Sequence, residues 1–205
     1  MNRRSIRAAS RAASFVAVMV LGLAAAAGGC ASTEMKSTWT DPGSKGAMLS
    51  KVAVICLHKD PGLRRICEDT AASRLTGANA VPGYRVVADA ELRDRQAVKT
   101  KLKEQGFQAV LVMRVTNVSE QVTAVDGPYG TFDPYYDWAG AAVYDPSYLQ
   151  TDTVVHMVSN LYSLQDEKLI WSGVSETFDP ASVQSFMNDV SKAVAKSIQK
   201  DRLVL

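Results

Sequence analysis

The sequence predicts a single α/β domain with a mixed β-sheet, in the order βαβαβ followed by a β-hairpin and a C-terminal helix. Two observations predict this class. Apolar runs of strand length alternate with segments in which apolar residues recur every three to four positions. Near the C-terminus, two alternating segments are separated by a short polar turn. The chain of 205 residues is long enough for one such domain with a sizeable core.

The first strand and helix are predicted between residues 51 and 77. Lys51 to Leu57 is a nearly continuous apolar run, which is typical of a central strand covered on both faces. Asp60 and Pro61 are residue types preferred at the N-cap and the first position of a helix. Apolar residues at helical spacing follow, and Gly77 is expected to end this helix.

The next elements are a short strand, a helix and a long strand. We predict them at Tyr84 to Ala88, at about Arg93 to Gln105 with Gly106 as the stop, and at Phe107 to about Val122. The long strand begins apolar and continues as an alternating pattern, so its second half should project beyond the helices. Because strands and helices alternate, the first three strands should be parallel, with right-handed crossovers.

A hairpin and a helix complete the predicted domain. Residues 151–163 and 168–178 are expected to pair across the turn at 164–168. Asp179 and Pro180 should cap the last helix. Its apolar residues recur every three to four positions and should pack on the sheet: Val183, Phe186, Met187, Val190, Val194 and Ile198.

The N-terminus has the pattern of a bacterial lipoprotein export signal. Four arginines and no acidic residue precede an apolar run that ends in Ala27-Gly28-Gly29-Cys30. The uncharged stretch 12–27 is short for a membrane span, which needs about 20 residues. The alternatives are an ordinary secretory signal cleaved elsewhere and a true spanning helix. We expect a signal peptide at 1–29 and an acyl lipid such as palmitate on Cys30.

The predicted anchor also sets the location and the domain boundaries. Residues 30–49 are expected to be a lipidated tether, because the stretch 31–46 is rich in Ser, Thr, Gly and Lys without apolar periodicity. The α/β domain should cover 50–205. Ala31 is not aspartate, which favours the outer membrane in the usual sorting logic, with the domain in the periplasm.

Charge argues against a nucleic-acid partner. The four arginines of the signal leave with it, so 19 of the 23 basic residues remain beside 21 acidic ones, a net charge of −2. No basic face for nucleic acid is implied by this balance.

Two cysteines remain besides Cys30. Cys56 lies near the end of a predicted strand, and Cys67 lies in the helix that follows. In an oxidising periplasm these thiols can form a disulfide. The alternative is that both are free, buried thiols acting as small core residues.

Residues from about 126 to 149 form an inserted segment that breaks the pattern. Long connections without structure of their own are uncommon and often functional. Aromatic side chains among turn residues offer large contact area at low entropic cost. We therefore consider a partner-binding surface, against the alternative that the rings pack on their own sheet. The candidate residues are Tyr129, Phe132, Tyr135, Tyr136, Trp138, Tyr144 and Tyr148.

The sequence carries no pattern that indicates catalysis. His58 and His156 are almost a hundred residues apart, and neither has metal-ligand spacing around it. No Gly-x-Ser-x-Gly elbow and no Gly-rich phosphate loop in strand–helix context is present. The spacing of Asp133, Asp137 and Asp145 does not match a calcium loop. We expect no enzyme, no cofactor and no metal.

Three segments carry a resemblance to known proteins: Lys51 to Leu57, Gly106 to Val112 and the hairpin Asn160 to Gly173. They resemble a group of uncharacterised proteobacterial lipoproteins. The layout is also similar to periplasmic domains of the curli-secretion channel lipoprotein, the lipoprotein activator of a penicillin-binding protein and the N-terminal domain of the Tol-system β-propeller protein. The resemblance implies a protein–protein interaction module and transfers no catalytic residue.

Two functions follow as hypotheses. The first is a non-enzymatic outer-membrane lipoprotein that binds a protein partner in a cell-envelope assembly, through the aromatic segment or an exposed strand edge. The second is a module that binds an envelope glycan or another small ligand through the same aromatic residues.

Overall fold

The computed structural model of the chain describes residues 32–124 and 149–204. Six strands and three α-helices form there. The strands are β1 (Ser32–Thr40), β2 (Lys51–Cys56), β3 (Asn79–Pro82), β4 (Ala109–Ala124), β5 (Leu149–Ser163) and β6 (Leu169–Phe178). The helices are α1 (Pro61–Arg74), α2 (Arg95–Glu104) and α3 (Val183–Lys200).

The strands make one mixed sheet in the order β1-β6-β5-β4-β2-β3. β2 pairs in parallel with β3 and with β4, while the pairs β4–β5, β5–β6 and β1–β6 are antiparallel. The predicted α/β class, the three parallel strands and the hairpin are therefore confirmed.

Capping residues fix two helices where the sequence places them. The Asp60 carboxylate accepts hydrogen bonds from the backbone N–H groups of Gly62 (2.7 Å) and Leu63 (3.0 Å), and so begins α1. Gly106 follows α2 with φ +73, a left-handed conformation that glycine adopts at no steric cost. The predicted N-cap at Asp60 and the predicted stop at Gly106 are both confirmed.

The core has two layers, one on each face of the sheet. α1 and α3 pack against each other and cover one face, over buried residues that include Val54, Met113, Leu161 and Trp171. On the other face, α2 covers a smaller cluster that includes Ile55, Leu102 and Phe107. β2 is buried on both faces because helices lie on both sides of it, as its continuous apolar run predicts.

Part of the predicted tether is a strand. β1 pairs with β6 from Ser32–Phe178 to Thr40–Trp171, with a bulge between Met35 and Ser37. The prediction failed because β1 is an edge strand with mostly exposed side chains, held by backbone hydrogen bonds that leave no apolar alternation to detect.

Three other boundaries differ from the prediction. α1 ends at Arg74, with Leu75 at its C-cap, and not at Gly77. The second strand is Asn79–Pro82, and residues Gly83–Arg85 form a 3₁₀ turn where a strand at 84–88 was expected. The last helix is capped by Ser182, whose hydroxyl accepts from the backbone N–H of Ser185 at 3.1 Å, and not by Asp179 and Pro180. Asp179 instead adopts φ +44 in the turn before the helix.

Candidate functional site

An apolar groove of about 350 Å³ opens at the carboxyl end of β2, beside the middle of β4. It lies on the face covered by α1 and α3, where β4 and β5 continue beyond both helices. Its floor is formed by the sheet residues Met113, Val115, Val155 and Met157. Its walls come from Leu63 of α1 and from Val183, Phe186 and Met187 of α3.

The rim of this groove exposes large apolar side chains. Leu57 is 45% exposed, Val118 is 61% exposed and Val183 is 45% exposed. These are three of the six large apolar side chains that are exposed among the described residues. Single exposed apolar residues are ordinary, but three around one groove form a patch of the kind that marks a contact surface. We call Leu57, Val118 and Val183 the apolar rim.

A disulfide joins Cys56 and Cys67 beneath the groove, with their Cα atoms 6.2 Å apart. The bond links the last residue of β2 to the second turn of α1. Of the two alternatives that the sequence leaves open for these cysteines, the structure contains the disulfide. It fixes α1 against the sheet at the point where the groove begins.

A buried ion pair supports the same end of β2. Arg64 and Glu68, one turn apart on α1, are both almost fully buried, and Nε of Arg64 lies 2.7 Å from Oε1 of Glu68. Arg64 also donates to the Val87 carbonyl at 3.1 Å and pairs with Asp89 at 2.5 Å. Each nitrogen of its guanidinium therefore has a partner, as a buried cation requires.

The Glu68 carboxylate also holds two backbone segments. Oε1 accepts from the Cys56 N–H at 3.1 Å, and Oε2 accepts from the Tyr84 N–H at 2.6 Å. Gly83 permits this approach, because a Cβ there would lie 2.7 Å from Ile55 and 2.8 Å from the Val54 carbonyl. All these groups are satisfied within the protein, so the network is structural and offers no free acid or base to a ligand.

Polar chemistry around the groove is sparse. His58 is exposed, and its Nδ1 accepts from the Asp60 N–H at 2.9 Å, which fixes the loop before α1. His156 lies on the other face of the sheet, 3.5 Å from Glu176. Within residues 32–124 and 149–204, no group of three His, Cys, Asp or Glu residues has the geometry for a metal ion. The described groove is built to contact apolar groups.

β4 and β5 extend beyond the rest of the sheet as a two-stranded ribbon. The last row shared with β6 contains Ser119, Val154 and Phe178, and β4 and β5 remain paired for five more rows, to Ala124–Leu149. Exposed Glu120 and Gln121 lie on this ribbon. The long strand that should project beyond the helices is confirmed, and its pairing partner is β5.

Neither edge of the sheet is suited to adding another strand. β1 carries a bulge and exposed charges at Glu34 and Lys36, which pair with each other at 3.3 Å. β3 has only four residues and ends in Pro82. Bulges, charges, short length and proline are the usual protections of an edge against pairing. The outer strands β1 and β3 therefore disfavour the strand-edge route at these two edges.

Several predicted site residues cannot be placed. Cys30 and all seven aromatic candidates, Tyr129, Phe132, Tyr135, Tyr136, Trp138, Tyr144 and Tyr148, lie outside the described residues. The structure does show that the strands flanking the aromatic segment are paired up to Ala124 and Leu149. The apolar rim was not predicted as a site. Its one sequence signal is Leu57, where the apolar run of β2 continues past the end of the strand.

Comparisons with known proteins identify no family. No protein-family model matches the sequence, and no curated protein matches it. In the described part of the chain, no helix is both long enough and apolar enough to cross a membrane.

Solved structures with a similar arrangement include PelC dodecamers from Paraburkholderia phytofirmans. One has a TM-score of 0.45 at 15% identity, over 84% of this chain and 98% of that one. A second has a TM-score of 0.44 at 16% identity, over 81% and 96%. Lipoprotein GNA1162 from Neisseria meningitidis has a TM-score of 0.41 at 17% identity, over 74% and 99%.

These TM-scores are all below 0.5, so the likeness assigns neither a family nor a function to this chain. GNA1162 is itself a lipoprotein, the class that the N-terminal sequence predicts here. The resemblance to the curli-secretion, penicillin-binding-protein activator and Tol-system domains stays a prediction.

Proposed function

We propose that this protein is a lipid-anchored, non-enzymatic protein of the outer membrane that binds a protein partner in an envelope assembly. The anchor is an acyl lipid on Cys30, and the α/β domain lies in the periplasm. The partner-binding element is the β4–β5 ribbon together with the aromatic segment that connects its strands.

The observation that carries this proposal is the ribbon. Five paired rows of β4 and β5 continue beyond the last row shared with β6. A two-stranded ribbon is marginally stable in water without further packing. Polar Glu120 and Gln121 on the ribbon do not build a core of their own. A ribbon that ends in an aromatic-rich segment is stabilised when a second protein packs against it, since aromatic side chains supply most of the energy of such contacts.

The chemistry of the described residues supports a binding role. The buried ionisable groups, Arg64 and Glu68, hydrogen-bond within the fold. The groove at the carboxyl end of β2 is lined mainly by apolar side chains. A hydrolytic or transfer reaction needs a nucleophile and a base within hydrogen-bond reach of each other. The groove residues do not supply such a pair.

Photo-crosslinking in intact cells tests the proposal. Benzoylphenylalanine is placed at position 120 or 121 on the ribbon, and at exposed Lys200 at the far end of α3 as the control. We expect a discrete protein adduct from the ribbon positions that is absent from the control position. In a second variant, residues 126–148 are replaced by a two-residue Asn-Gly turn, which suits a hairpin.

The second variant separates the segment from the ribbon itself. Loss of the adduct on removal of 126–148 supports the aromatic segment as the contact. An adduct that persists unchanged places the contact on the ribbon alone. If neither ribbon position gives any protein adduct while the protein is present in the membrane fraction, the proposed partner binding is wrong.

A further inference from the structure

The start of β1 fixes how close the domain lies to its proposed anchor. Ser32 already pairs with Phe178 of β6, and Cys30 is only two residues earlier in the chain. Two residues span at most about 7 Å. Had residues 30–49 been a flexible tether, the domain would have been free to turn in any direction. The pairing of β1 removes that freedom for the domain edge at Ser32.

The apolar rim lies at this same end of the sheet. Thr33, Thr177, Val155 and Val118 form one row across β1, β6, β5 and β4. Neighbouring strands are about 4.8 Å apart, so three steps place Val118 about 14 Å from Thr33 along the row. Val183 begins α3 shortly after Phe178, the residue that pairs with Ser32. The anchored strand and the exposed apolar side chains therefore share one end of the molecule.

The charges beside the rim are of both signs. Arg114 lines the groove and is exposed, and Lys59 is exposed beside Leu57. Exposed Glu120 and Asp179 are nearby acidic residues, so the surface is mixed in charge. Arg114 and Lys59 can pair with lipid headgroups, but Glu120 and Asp179 offset this attraction, so the apolar side chains carry the contact.

We infer that Leu57, Val118 and Val183 contact the lipid surface of the membrane beside the acylated Cys30. The carboxyl end of β2 then faces the bilayer, and the domain is held at two points, the lipid and the apolar rim. This inference rests on the lipid anchor of the proposed function. It does not depend on the identity or the existence of a protein partner.

We assign a lipid surface as the contact of the rim because β1, which follows Cys30, begins at the end of the sheet where the rim lies. An acyl chain on Cys30 has to enter the hydrocarbon region, which brings Ser32 to within about 7 Å of the anchored residue's backbone. The rim lies in the same end of the sheet, so the anchor brings it close to lipid. The ribbon continues five rows past Ser119, about 17 Å at about 3.4 Å per row, so its exposed Glu120 and Gln121 require it to lie along the headgroup layer and not across the hydrocarbon.

The test uses the natural acylated protein, extracted from membranes and reconstituted into vesicles of phosphatidylethanolamine and phosphatidylglycerol. Benzoylphenylalanine replaces Leu57, Val118 or Val183, with Lys200 as the matched control. α3 has 18 residues at about 1.5 Å each, so Lys200 lies about 26 Å along the helix from Val183. Lipid adducts are measured by mass spectrometry after illumination, and vesicle flotation reports the anchor separately.

We expect several-fold more lipid adduct from the three rim positions than from position 200. In a second experiment, the substitutions V118D and V183D are combined. We expect the double variant to float unchanged, because its lipid is intact, and to lose most of the lipid adduct at position 57. Lys196→Asp on the exposed side of α3 serves as the charge control and should leave that adduct unchanged.

The outcomes separate this inference from the proposed function. Protein that floats but gives no more lipid adduct from the rim than from position 200 overturns the inference and leaves the anchor intact. Protein that does not float overturns the anchor, and the inference with it. Adducts from the rim to a protein instead of lipid also overturn the inference, while crosslinks from positions 120 and 121 report on partner binding independently.

Discussion

The two ends of the sheet are built differently. At the amino ends of β2 and β4, Leu49, Leu203 and Val204 are buried, and the chain's last residues add backbone hydrogen bonds, Leu49 N–H to the Leu203 carbonyl at 2.7 Å among them. At the carboxyl end of β2, the core opens into a groove with the apolar rim. A disulfide between β2 and α1 and a buried ion pair on α1 support the open end.

The difference indicates where this protein meets other molecules. A closed end needs nothing further to be stable, because its apolar residues are already out of water. An open end keeps apolar surface exposed, and it needs other means to stay rigid. Covalent and ionic links at the base of the groove serve that purpose here. The same end carries the ribbon and the strand that follows Cys30.

The largest expected effect on stability comes from removing Glu68, which supports the open end. Glu68→Ala removes the acceptor for Arg64, Cys56 and Tyr84, and leaves a buried guanidinium without one of its carboxylates. Breaking one side of a buried pair costs about 3–5 kcal/mol in the free energy of unfolding. Urea denaturation measures this loss. The control is Glu104→Ala on the exposed surface of α2, which should stay within about 0.5 kcal/mol of the natural protein.

Truncation to alanine at each of the two ends sharpens the comparison. Leu203→Ala empties a fully buried site at the closed end and should cost about 2–5 kcal/mol. Val118→Ala at the open rim removes a side chain that is already mostly in water, and should change stability by no more than about 0.5 kcal/mol. Similar losses for both, measured by the same urea denaturation, would mean that the rim is buried in the folded protein and that the two ends are alike.

Removal of the disulfide has a somewhat smaller expected effect. Cys56 and Cys67 are separated by 11 positions, and a link over a loop of this size contributes about 2–4 kcal/mol, mainly by restricting the unfolded chain. The double variant C56A/C67A should lose this amount of unfolding free energy. Reduction of the natural protein with dithiothreitol should produce a similar loss and have no effect on the double variant. If reduction lowers the unfolding free energy of both proteins, the loss does not come from the Cys56–Cys67 bond.

The smallest expected effect lies at the turn between β5 and β6, at the closed end. Hydrogen bonds from Lys103 and then Lys99 lower the pKa of exposed Glu167 from 4.5 to about 2. A lowered pKa in the folded state adds stability that is complete above pH 4.5 and is lost as the pH falls towards 2. Glu167→Gln should therefore flatten the dependence of unfolding on pH within this window. The change is small because exposed ion pairs are screened by solvent. A steeper pH dependence of the unfolding free energy in the variant would contradict this prediction.

Local signals in the sequence determined much of the fold. The N-cap at Asp60, the stop at Gly106 and the apolar run of β2 act over a few residues, and each occurs where it was predicted. β1 was missed because an edge strand held by its backbone has no apolar alternation. The cap of α3 was misplaced by three residues, because Asp179 and Pro180 carry helix-start residue types but form the turn before Ser182.

The candidate site was less predictable than the fold. A groove exists only when distant residues meet, and the apolar rim combines Leu57, Val118 and Val183 from three separate elements. In the sequence, each of these looks like one more core residue at the end of a strand or the start of a helix. The disulfide posed the same difficulty, because spacing alone does not give the direction of two side chains.

The intact mass of the protein extracted from its native membrane, before and after reduction, tests the central claim most directly. The account predicts a chain that begins at Cys30 and carries acyl lipid, with two thiols that become reactive only after reduction. A chain that retains residues 1–29 without any lipid would contradict it, since the start of β1 would then no longer hold one end of the sheet at a bilayer.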